Sequence, residues 1–391
     1  MEIVMQRKTI AVLGATGSVG TQALDVARAR GYSVDLLSAR GDVAGMEKLA
    51  REFSPRFVVM ADERAASMLA TSLADTDISV RAGADALDAA IHATSAEVVV
   101  NAVSGFAGLA PTLSIIDSGR RLALANKESL VVAGEIVMKR AFDNGVEIIP
   151  VDSEHSAIFQ SLKSGKHSEI KRILLTASGG PFRDKSVEEL RSVTLGDTLA
   201  HPTWEMGERI TVDSATLMNK GFELIEAVHL FNVAPSAVEV LIHRESILHS
   251  AVEYIDNSII GELSVPDMRM CVQYAVDYPE RYVSAGEPLD LTRIGTLSFE
   301  RPRYDAFPLL SLASRAISDG GAMPAVMNAA DEVAVAAFLQ EKIGFTDIAE
   351  CVRECYARLS TASGIYELDG IIESDREARA VTREIIHGIT R

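Results

Sequence analysis

The first 150 residues alternate short apolar runs with stretches of helical periodicity, and this alternation limits the possible folds more than any other feature. The runs TIAVL, SVDLLSA, RFVVMA, AEVVVNAV, RRLALAN and VEIIPV have the length and composition of strands. Between them lie Ala-, Leu- and charge-rich segments at helical spacing. This rhythm predicts an α/β domain, over residues 1–150, whose parallel sheet is covered by helices on both faces.

The pattern changes after residue 150. The runs RILLTASGG, VEVLIHRESILHSAVEYI and SIIGELSVP predict a second, mixed sheet interrupted by helices, so we assign residues 151–278 to a central α+β domain. Residues 279–305 contain three prolines and little periodicity, which is typical of a linker. Residues 306–391 have helical periodicity throughout and predict a C-terminal helical bundle.

A glycine-rich segment, GATGSVG, joins the first predicted strand to the first predicted helix. Gly14, Gly17 and Gly20 allow the backbone to approach a pyrophosphate, and the helix N-terminus behind them favours negative charge. The motif is weak alone, but its strand–loop–helix context is the one that a dinucleotide site requires. It predicts a Rossmann-like, cofactor-binding first domain; the alternative is a tight turn that binds nothing.

The residues that follow the second predicted strand bear on the choice of dinucleotide. NAD enzymes commonly place an acidic residue there to bind the ribose hydroxyls. Here Ser38 and Arg40 occupy the turn, a pair that suits a 2′-phosphate and therefore NADP. Asp35 lies inside the strand and Asp42 follows the arginine, so neither is ideally placed for NAD.

Two carboxylates, Asp152 and Glu154, follow the apolar run VEIIPV. On an extended chain, residues two apart point to the same side. Like charges held that close repel each other unless a cation lies between them. The pair therefore predicts a metal site, although one acid alone could cap a helix.

The densest cluster of polar residues is DSATLMNKGFELIEA, which we interpret as one helix with Ser214 near its start. Asn219 and Glu223 are then four residues apart on one face, and Lys220 is three residues from Glu223. Three carboxylates, counting Asp152 and Glu154, suit a hard divalent ion such as Mg²⁺ or Mn²⁺. The alternative for the helix is a solvated Lys–Glu face.

Three further segments allow two interpretations each. Ser178, with the two glycines after it, forms either an anion-binding nest or an ordinary turn. Asn126, Lys127 and Glu128 lie at a predicted strand's carboxyl end, where ligands bind, but Asn126 could simply cap a helix. The loop HPTWEMG contains His201 and Trp204, which either cover a bound substrate or anchor the loop.

Composition excludes several classes of partner. A net charge of −17 argues against nucleic acid and anionic membranes as main partners. Three cysteines fit a reducing compartment, and no apolar run reaches the roughly 18 residues that a membrane span needs. The first predicted strand begins at about residue 8, leaving no room for a targeting peptide. We expect a soluble, cytoplasmic protein.

Eight motifs together resemble the 1-deoxy-D-xylulose 5-phosphate reductoisomerase family, in the family's order and spacing over essentially the whole chain. They are GATGSVG, ANKESL, PVDSEHSAIFQ, TASGGPF, HPTWEMG, DSATLMNKGFELIEA, SVPDMR and NAADEVAVAAFL. The resemblance implies an NADPH- and divalent-metal-dependent enzyme (Mn²⁺, Mg²⁺ or Co²⁺) of isoprenoid precursor biosynthesis. It also implies a homodimer formed through a central catalytic, metal-binding domain.

The resemblance implies roles for individual residues. Asp152, Glu154 and Glu223 would hold the metal ion and, with Lys127 and His201, form the catalytic set. The expected substrate-binding residues are Lys127, Ser153, Glu154, Ser178, His201, Trp204, Ser214, Asn219, Lys220 and Glu223. The expected cofactor-binding residues are Gly14, Thr16, Gly17, Ser18, Val19, Ser38, Arg40, Asn126, Glu128 and Gly207.

The sequence departs from the family pattern at two places. Ala39-Arg40-Gly41-Asp42 stand where many relatives have Ala-Gly-x-Asn, so the 2′-phosphate contact is inferred from local residues only. Arg209 stands where relatives often carry a lysine. Two alternatives remain: an NADP-dependent dehydrogenase of another sugar phosphate or semialdehyde, and a nucleotide-sensing module that binds partners.

Overall fold

The structure is a computed structural model that describes residues 8–200, 207–284 and 286–389. The described chain forms two compact units. The first comprises the described parts of Met1–Asn126, Val137–Ser156 and Asp267–Glu287, and the second those of Lys127–Ile136, Ala157–Pro266 and Pro288–Arg391.

The first unit is built on a seven-stranded sheet within the described residues, with strand order β4-β3-β2-β1-β5-β6-β7 and every pair parallel. The strands are β1 Thr9–Leu13, β2 Ser33–Ala39, β3 Phe57–Met60, β4 Ser79–Ala82, β5 Val98–Asn101, β6 Arg121–Leu124 and β7 Ile148–Pro150. This sheet confirms the α/β, Rossmann-like prediction. The order reverses direction at β1, between β2 and β5, which is where open parallel sheets bind ligands.

The second unit contains a four-stranded sheet in the order β11-β10-β8-β9. Its strands are β8 Ile170–Ala177, β9 Val238–Ile242, β10 Leu248–Tyr254 and β11 Ile259–Leu263. The β8–β9 pair is parallel, whereas β10 runs antiparallel to both β8 and β11. The sheet is therefore mixed, as predicted.

Seventeen α-helices lie within the described ranges. They are α1 Ser18–Arg30, α2 Val43–Phe53, α3 Glu63–Ser72, α4 Ala84–Ala93, α5 Leu109–Asp117, α6 Glu128–Asn144, α7 Ser153–Ser161, α8 Val187–Leu190, α9 Leu195–Leu199, α10 Glu208–Ala215, α11 Met218–Phe231, α12 Met268–Asp277, α13 Leu291–Ile294, α14 Pro308–Asp319, α15 Met323–Leu339, α16 Phe345–Arg358 and α17 Leu368–Ile389. The helices from α14 to α17 confirm the predicted helical C-terminal region.

Buried apolar side chains hold the elements of each unit together. In the first, β3 and β5 are buried along their whole length, as expected for central strands covered by helices on both faces. In the second, the alanine-rich helix α15 packs against α16 and α17. Small side chains on α15, such as Ala325, Ala329 and Ala330, are fully buried and allow these helices to approach closely.

The predicted single helix DSATLMNKGFELIEA is two helices, so that interpretation is wrong. Leu217 adopts a left-handed conformation with φ of 59° between α10 and α11. The Leu217 amide donates to the Ser214 carbonyl, and the Met218 amide donates to Thr216 Oγ1, which closes the break. Ser214 therefore lies at the end of α10 rather than near the start of the helix that carries Glu223.

No helix in the described part of the chain is both long enough and apolar enough to cross a bilayer.

Candidate active site

The glycine loop lies at the carboxyl end of β1, at the point where the strand order reverses. Gly14 has a φ of 79°, and a Cβ there would lie 2.4 Å from the Ala102 carbonyl oxygen. A Cβ at Gly20 would lie 2.1 Å from the Gly14 carbonyl oxygen, so helix α1 can approach the loop only without a side chain. The loop is thus shaped by backbone contacts that exclude Cβ atoms, as in dinucleotide sites.

The N-terminus of α1 faces solvent at this loop. Gly17 caps the helix with extended backbone, and both Gly17 and Ser18 are exposed, whereas Thr16 and Val19 are half-buried. The helix has no acidic residue in its first turn, so nothing on it opposes a bound anion. The loop and the helix end therefore fit a pyrophosphate.

The two residues predicted to read the 2′-phosphate differ in exposure. Ser38 is buried, and its carbonyl oxygen accepts hydrogen bonds from the amides of Gly14 and Ala15. Arg40 is exposed. Asp42 caps α2 by accepting from the Gly45 amide at 2.9 Å, so this acid has a structural partner. Of the two predicted residues, Arg40 is the one whose side chain is open to a ligand.

Asn126 is buried and holds the loop that follows β5. Its Nδ2 donates to the carbonyl oxygens of Val103 at 2.7 Å and Gly105 at 2.9 Å. It does not begin α6, which starts at Glu128. The side chain therefore supports the carboxyl ends of the strands from within the first unit.

Asp152 and Glu154 lie in the turn from β7 into α7, not on an extended chain. Asp152 Oδ1 accepts from the amides of Glu154 at 3.2 Å and His155 at 3.3 Å, as an N-cap does. Ser153 Oγ donates to Glu154 Oε2 at 2.5 Å. The extended-chain reason for pairing these two acids was wrong, because the chain turns into a helix at Ser153.

The second unit gathers a buried cluster of opposite charges around Glu223. Glu223 Oε1 accepts from Lys127 Nζ at 2.8 Å and from Asn219 Nδ2 at 2.5 Å. Lys127 Nζ also donates to Asn219 Oδ1 at 2.9 Å, and Lys220 pairs with Glu223 Oε2. The two lysines and the glutamate are each less than 10% exposed. The structure thus joins four residues that the sequence placed in two separate motifs.

The Ser178 segment lies against the end of α10. Gly179 and Gly180 have positive φ of 84° and 69°. A Cβ at Gly180 would lie 2.7 Å from the Ser214 carbonyl oxygen, so the turn and the helix end are in close contact. Ser178 Oγ accepts from the Gly180 amide at 3.3 Å. This geometry brings two predicted phosphate-binding residues, Ser178 and Ser214, to one place.

Four predicted site residues remain. His201 and Trp204 lie outside the described residues. Gly207 caps α10 with extended backbone, and Glu128 Oε1 lies 3.2 Å from Arg209 Nη1.

The sequence interpretation gave no role to His155, which the structure places at the candidate site. Its ring is fully buried, and its Nδ1 lies 2.8 Å from Asp152 Oδ1. A carboxylate fixed in this way keeps one orientation. The signal was available, since a histidine three residues after a helix cap lies within reach of it.

The described fold and side chains define a class of protein: a dinucleotide-binding α/β protein with buried carboxylates and lysines suited to an anionic substrate. Family models of 1-deoxy-D-xylulose 5-phosphate reductoisomerase match residues 10–134, and models of its C-terminal domain match residues 148–231 and 263–381. A protein of this name from Acetivibrio thermocellus is 49% identical over 377 residues, covering 96% of this chain and 99% of its own.

Solved structures agree over nearly the full length. The 1-deoxy-D-xylulose 5-phosphate reductoisomerase from Zymomonas mobilis, in complex with NADPH, is 42% identical with a TM-score of 0.91, covering 97% of this chain and 99% of its own. A DOX-P reductoisomerase in complex with NADPH, fosmidomycin and magnesium is 37% identical with a TM-score of 0.94, covering 98% and 99%. The chain belongs to the 1-deoxy-D-xylulose 5-phosphate reductoisomerase family.

Proposed function

We propose that this protein converts 1-deoxy-D-xylulose 5-phosphate to 2-C-methyl-D-erythritol 4-phosphate, using NADPH and a divalent metal ion, in isoprenoid precursor biosynthesis. Membership of the family supports this reaction. The observation in this chain that supports it most is the buried cluster of Lys127, Asn219 and Lys220 around Glu223. A simple dehydrogenase of an alcohol or aldehyde has no need for two lysines and an amide gathered on one buried carboxylate.

We propose that NADPH binds at the glycine loop, where Gly14 and Gly20 let the loop pack closely against the Ala102 carbonyl and against helix α1. When bound there, NADPH would supply the hydride for the reduction. Arg40 is exposed beside β2 and would pair with the 2′-phosphate. Thr16, Gly17, Ser18 and Val19 would line the pyrophosphate, while Ser38, Asn126, Glu128 and Gly207 complete the proposed set.

We propose that Asp152, Glu154 and Glu223 bind the divalent ion. When held there, the ion would supply Lewis-acid chemistry toward the carbonyl and hydroxyl oxygens of the substrate. The chemistry of the three donors fits a hard cation, because all are carboxylates. Asp152 keeps one orientation through the helix N-terminus and His155. Glu223 lies between two ammonium groups, which offset the cost of burying its charge.

We propose that the phosphate of the substrate binds Ser178, Ser214, Asn219 and Lys220. Hydroxyl, amide and ammonium groups are the donors that a phosphate needs, and two of these residues meet where the Gly180 turn contacts α10. Lys127 would orient the reacting carbons, and Ser153 would contact the substrate oxygens. His201 and Trp204 are proposed, from the sequence, to cover the substrate and exclude water.

We propose a homodimer formed through the central domain. Within the described residues β11 pairs only with β10, so one edge of the second sheet has no strand partner. Ile259, Ile260 and Leu263 on β11, and Ile255 before it, are exposed. An exposed apolar edge strand is normally covered. Light scattering would show a molecule of about twice the 42.0 kDa chain mass, and Ile260→Lys would shift it toward one chain mass.

Two sequence predictions remain proposals here. One is the division into residues 1–150, 151–278, 279–305 and 306–391 as cofactor domain, catalytic domain, linker and helical domain. The other is a cytoplasmic location, which rests on the sparse cysteine content.

The proposed reaction is tested by NADPH oxidation on addition of 1-deoxy-D-xylulose 5-phosphate to metal-stripped protein, before and after addition of Mn²⁺ or Mg²⁺. We expect oxidation only with metal and formation of 2-C-methyl-D-erythritol 4-phosphate. Oxidation without metal would favour a dehydrogenase of another kind. No oxidation by folded protein under either condition would favour a nucleotide-sensing module.

A further inference from the structure

Charged side chains join α10 to three other helices of the second unit. Arg209, in the first turn of α10, lies 3.2 Å from a Glu128 oxygen on α6 and 3.1 Å from a Glu332 oxygen on α15. Arg209 Nε also lies 3.7 Å from Asp213 on its own helix. One guanidinium group thus connects three carboxylates from three helices.

The connection extends to the last helix of the chain. Glu332 Oε2 accepts from Arg379 Nη2 at 2.8 Å, and Arg379 also pairs with Asp375, one turn before it on α17. Asn328 Nδ2 donates to Glu332 Oε1 at 3.3 Å. Arg209 and Arg379 thus link carboxylates of α6, α10, α15 and α17.

Two buried aspartates lie beside Arg209 in this network. Asp213 on α10 is 4% exposed and Asp331 on α15 is 0% exposed, and their carboxyl groups are in hydrogen-bonding contact. Among the described residues, no N–H or O–H group donates to either oxygen of Asp331. Two buried carboxylates can make such a contact only if one of them carries a proton.

We propose that Asp331 is protonated and donates a hydrogen bond to Asp213, and that this bond, with the Arg209 ion pairs, positions α10 and the adjacent Ser214. Asp213 and Ser214 are consecutive, and α10 ends one residue later. The turn at Gly180 contacts the Ser214 carbonyl, so a shift of α10 would move both proposed phosphate-binding serines. Asp331 is thus a positioning residue. Its effect on substrate binding rests on the proposed function, whereas the shared proton does not.

Burial raises the pKa of both carboxyl groups. Arg209 opposes this rise at both, whereas the negative charge of Asp213 adds to it at Asp331, so the proton resides on Asp331. Glu332 raises the pKa of both aspartates, and Glu128 raises that of Asp213. On α17, Asp375 and Arg379 act on the pair through Glu332.

The direction of the pH effect follows from this shift. A carboxyl group with a raised pKa in the folded state contributes stability that is fully present below the ordinary aspartate pKa of about 3.9. That contribution is lost as the pH rises through the raised pKa of Asp331. The wild-type protein should therefore lose stability as the pH rises from about 3.9 toward the raised pKa of Asp331, where the aspartates of α10 and α15 begin to repel each other.

The first experiment compares Tm with pH for wild type and Asp331→Asn, without metal or cofactor. An asparagine amide donates to Asp213 and cannot ionise, so the variant should lose much less Tm as the pH rises. The matched control is Asp277→Asn, since Asp277 is a buried aspartate of the first unit with Lys8 and Arg30 beside it. It should keep the wild-type slope. Equal slopes for wild type and Asp331→Asn would overturn the shared proton.

The second experiment measures KM and kcat for 1-deoxy-D-xylulose 5-phosphate across the same pH range. Asp331→Ala leaves Asp213 without its donor and should raise KM by about tenfold, with a smaller effect on kcat. Asp331→Asn should restore KM and remove the rise of KM with pH that we expect in wild type. An unchanged KM in Asp331→Ala, with its Tm lowered, would overturn the positioning role. If wild type lacks the activity, the proposed function fails, and the Tm comparison still decides the shared proton.

Discussion

The two units differ in how their candidate binding residues are held in place. In the first unit the cofactor loop is shaped by backbone, with glycines at positions where a Cβ would overlap a carbonyl oxygen. In the second unit, side chains from α11 and the residue before α6 form the buried cluster around Glu223, and their charges hold one another in place. The glycines that the loop needs therefore stand together in one short motif, whereas the side-chain cluster combines residues that are distant in the chain.

The largest effect on activity is expected when a buried charge is removed from the second unit. Glu223→Gln removes a proposed metal ligand and the carboxylate that both buried lysines contact, and should lower kcat/KM by about a thousandfold. Steady-state kinetics at saturating Mn²⁺ measures this. Glu253→Gln is the control, because Glu253 is equally buried in the second unit but pairs with Lys171 and Arg172. A similar loss of kcat/KM in both variants would mean that the loss comes from impaired folding and not from the removal of a metal ligand.

The next largest effect is expected when a Cβ is added to the glycine loop of the first unit, because the loop can then no longer keep its backbone contacts. Gly14→Ala places a Cβ 2.4 Å from the Ala102 carbonyl at a φ of 79°. The loop must move, so NADPH affinity should fall at least about tenfold, with a loss of stability of about 3 kcal/mol. Fluorescence titration of NADPH measures the affinity.

Gly119→Ala provides the control for backbone strain alone. Gly119 has a φ of 73°, but a Cβ there would meet nothing within 4 Å. It should lose about 1 kcal/mol of stability and keep its NADPH affinity. If Gly14→Ala binds NADPH as tightly as Gly119→Ala does, the loop is not the cofactor site.

The smallest effect is expected on cofactor preference, when the side chain of Arg40 in the first unit is removed. Arg40→Ala should weaken NADPH binding by about tenfold and leave NADH binding unchanged, since only the former carries the 2′-phosphate. Asp42→Ser keeps a helix cap and should leave the preference unaltered. Equal losses for the two cofactors in Arg40→Ala would place the 2′-phosphate elsewhere.

The same contrast explains what the sequence could predict. Six strands of the first sheet were recognisable because they are buried apolar runs, while β4 is a four-residue, half-exposed edge strand with weak patterning. The break at Leu217 has no signal, because no glycine or proline lies in residues 215–218. A residue with φ of 59° there reflects tertiary packing rather than local preference.

At the site, sequence motifs identified residues but not their connections. Lys127 lies 92 residues before Asn219, and no pattern indicates that they hydrogen-bond. Likewise, the Asp213–Asp331 contact joins two motifs far apart in the sequence, and nothing in either motif indicates the other. Asp152 was selected for a geometry that it does not have, since it caps α7.

The central claim is that Asp152, Glu154 and Glu223 bind the divalent ion. Mn²⁺ titration followed by electron paramagnetic resonance, on protein free of NADPH and substrate, tests it without relying on turnover. We predict that Asp152→Asn and Glu223→Gln each weaken Mn²⁺ binding at least about tenfold, while Glu253→Gln binds as wild type does. Wild-type Mn²⁺ affinity in either of the first two variants would contradict the shared site.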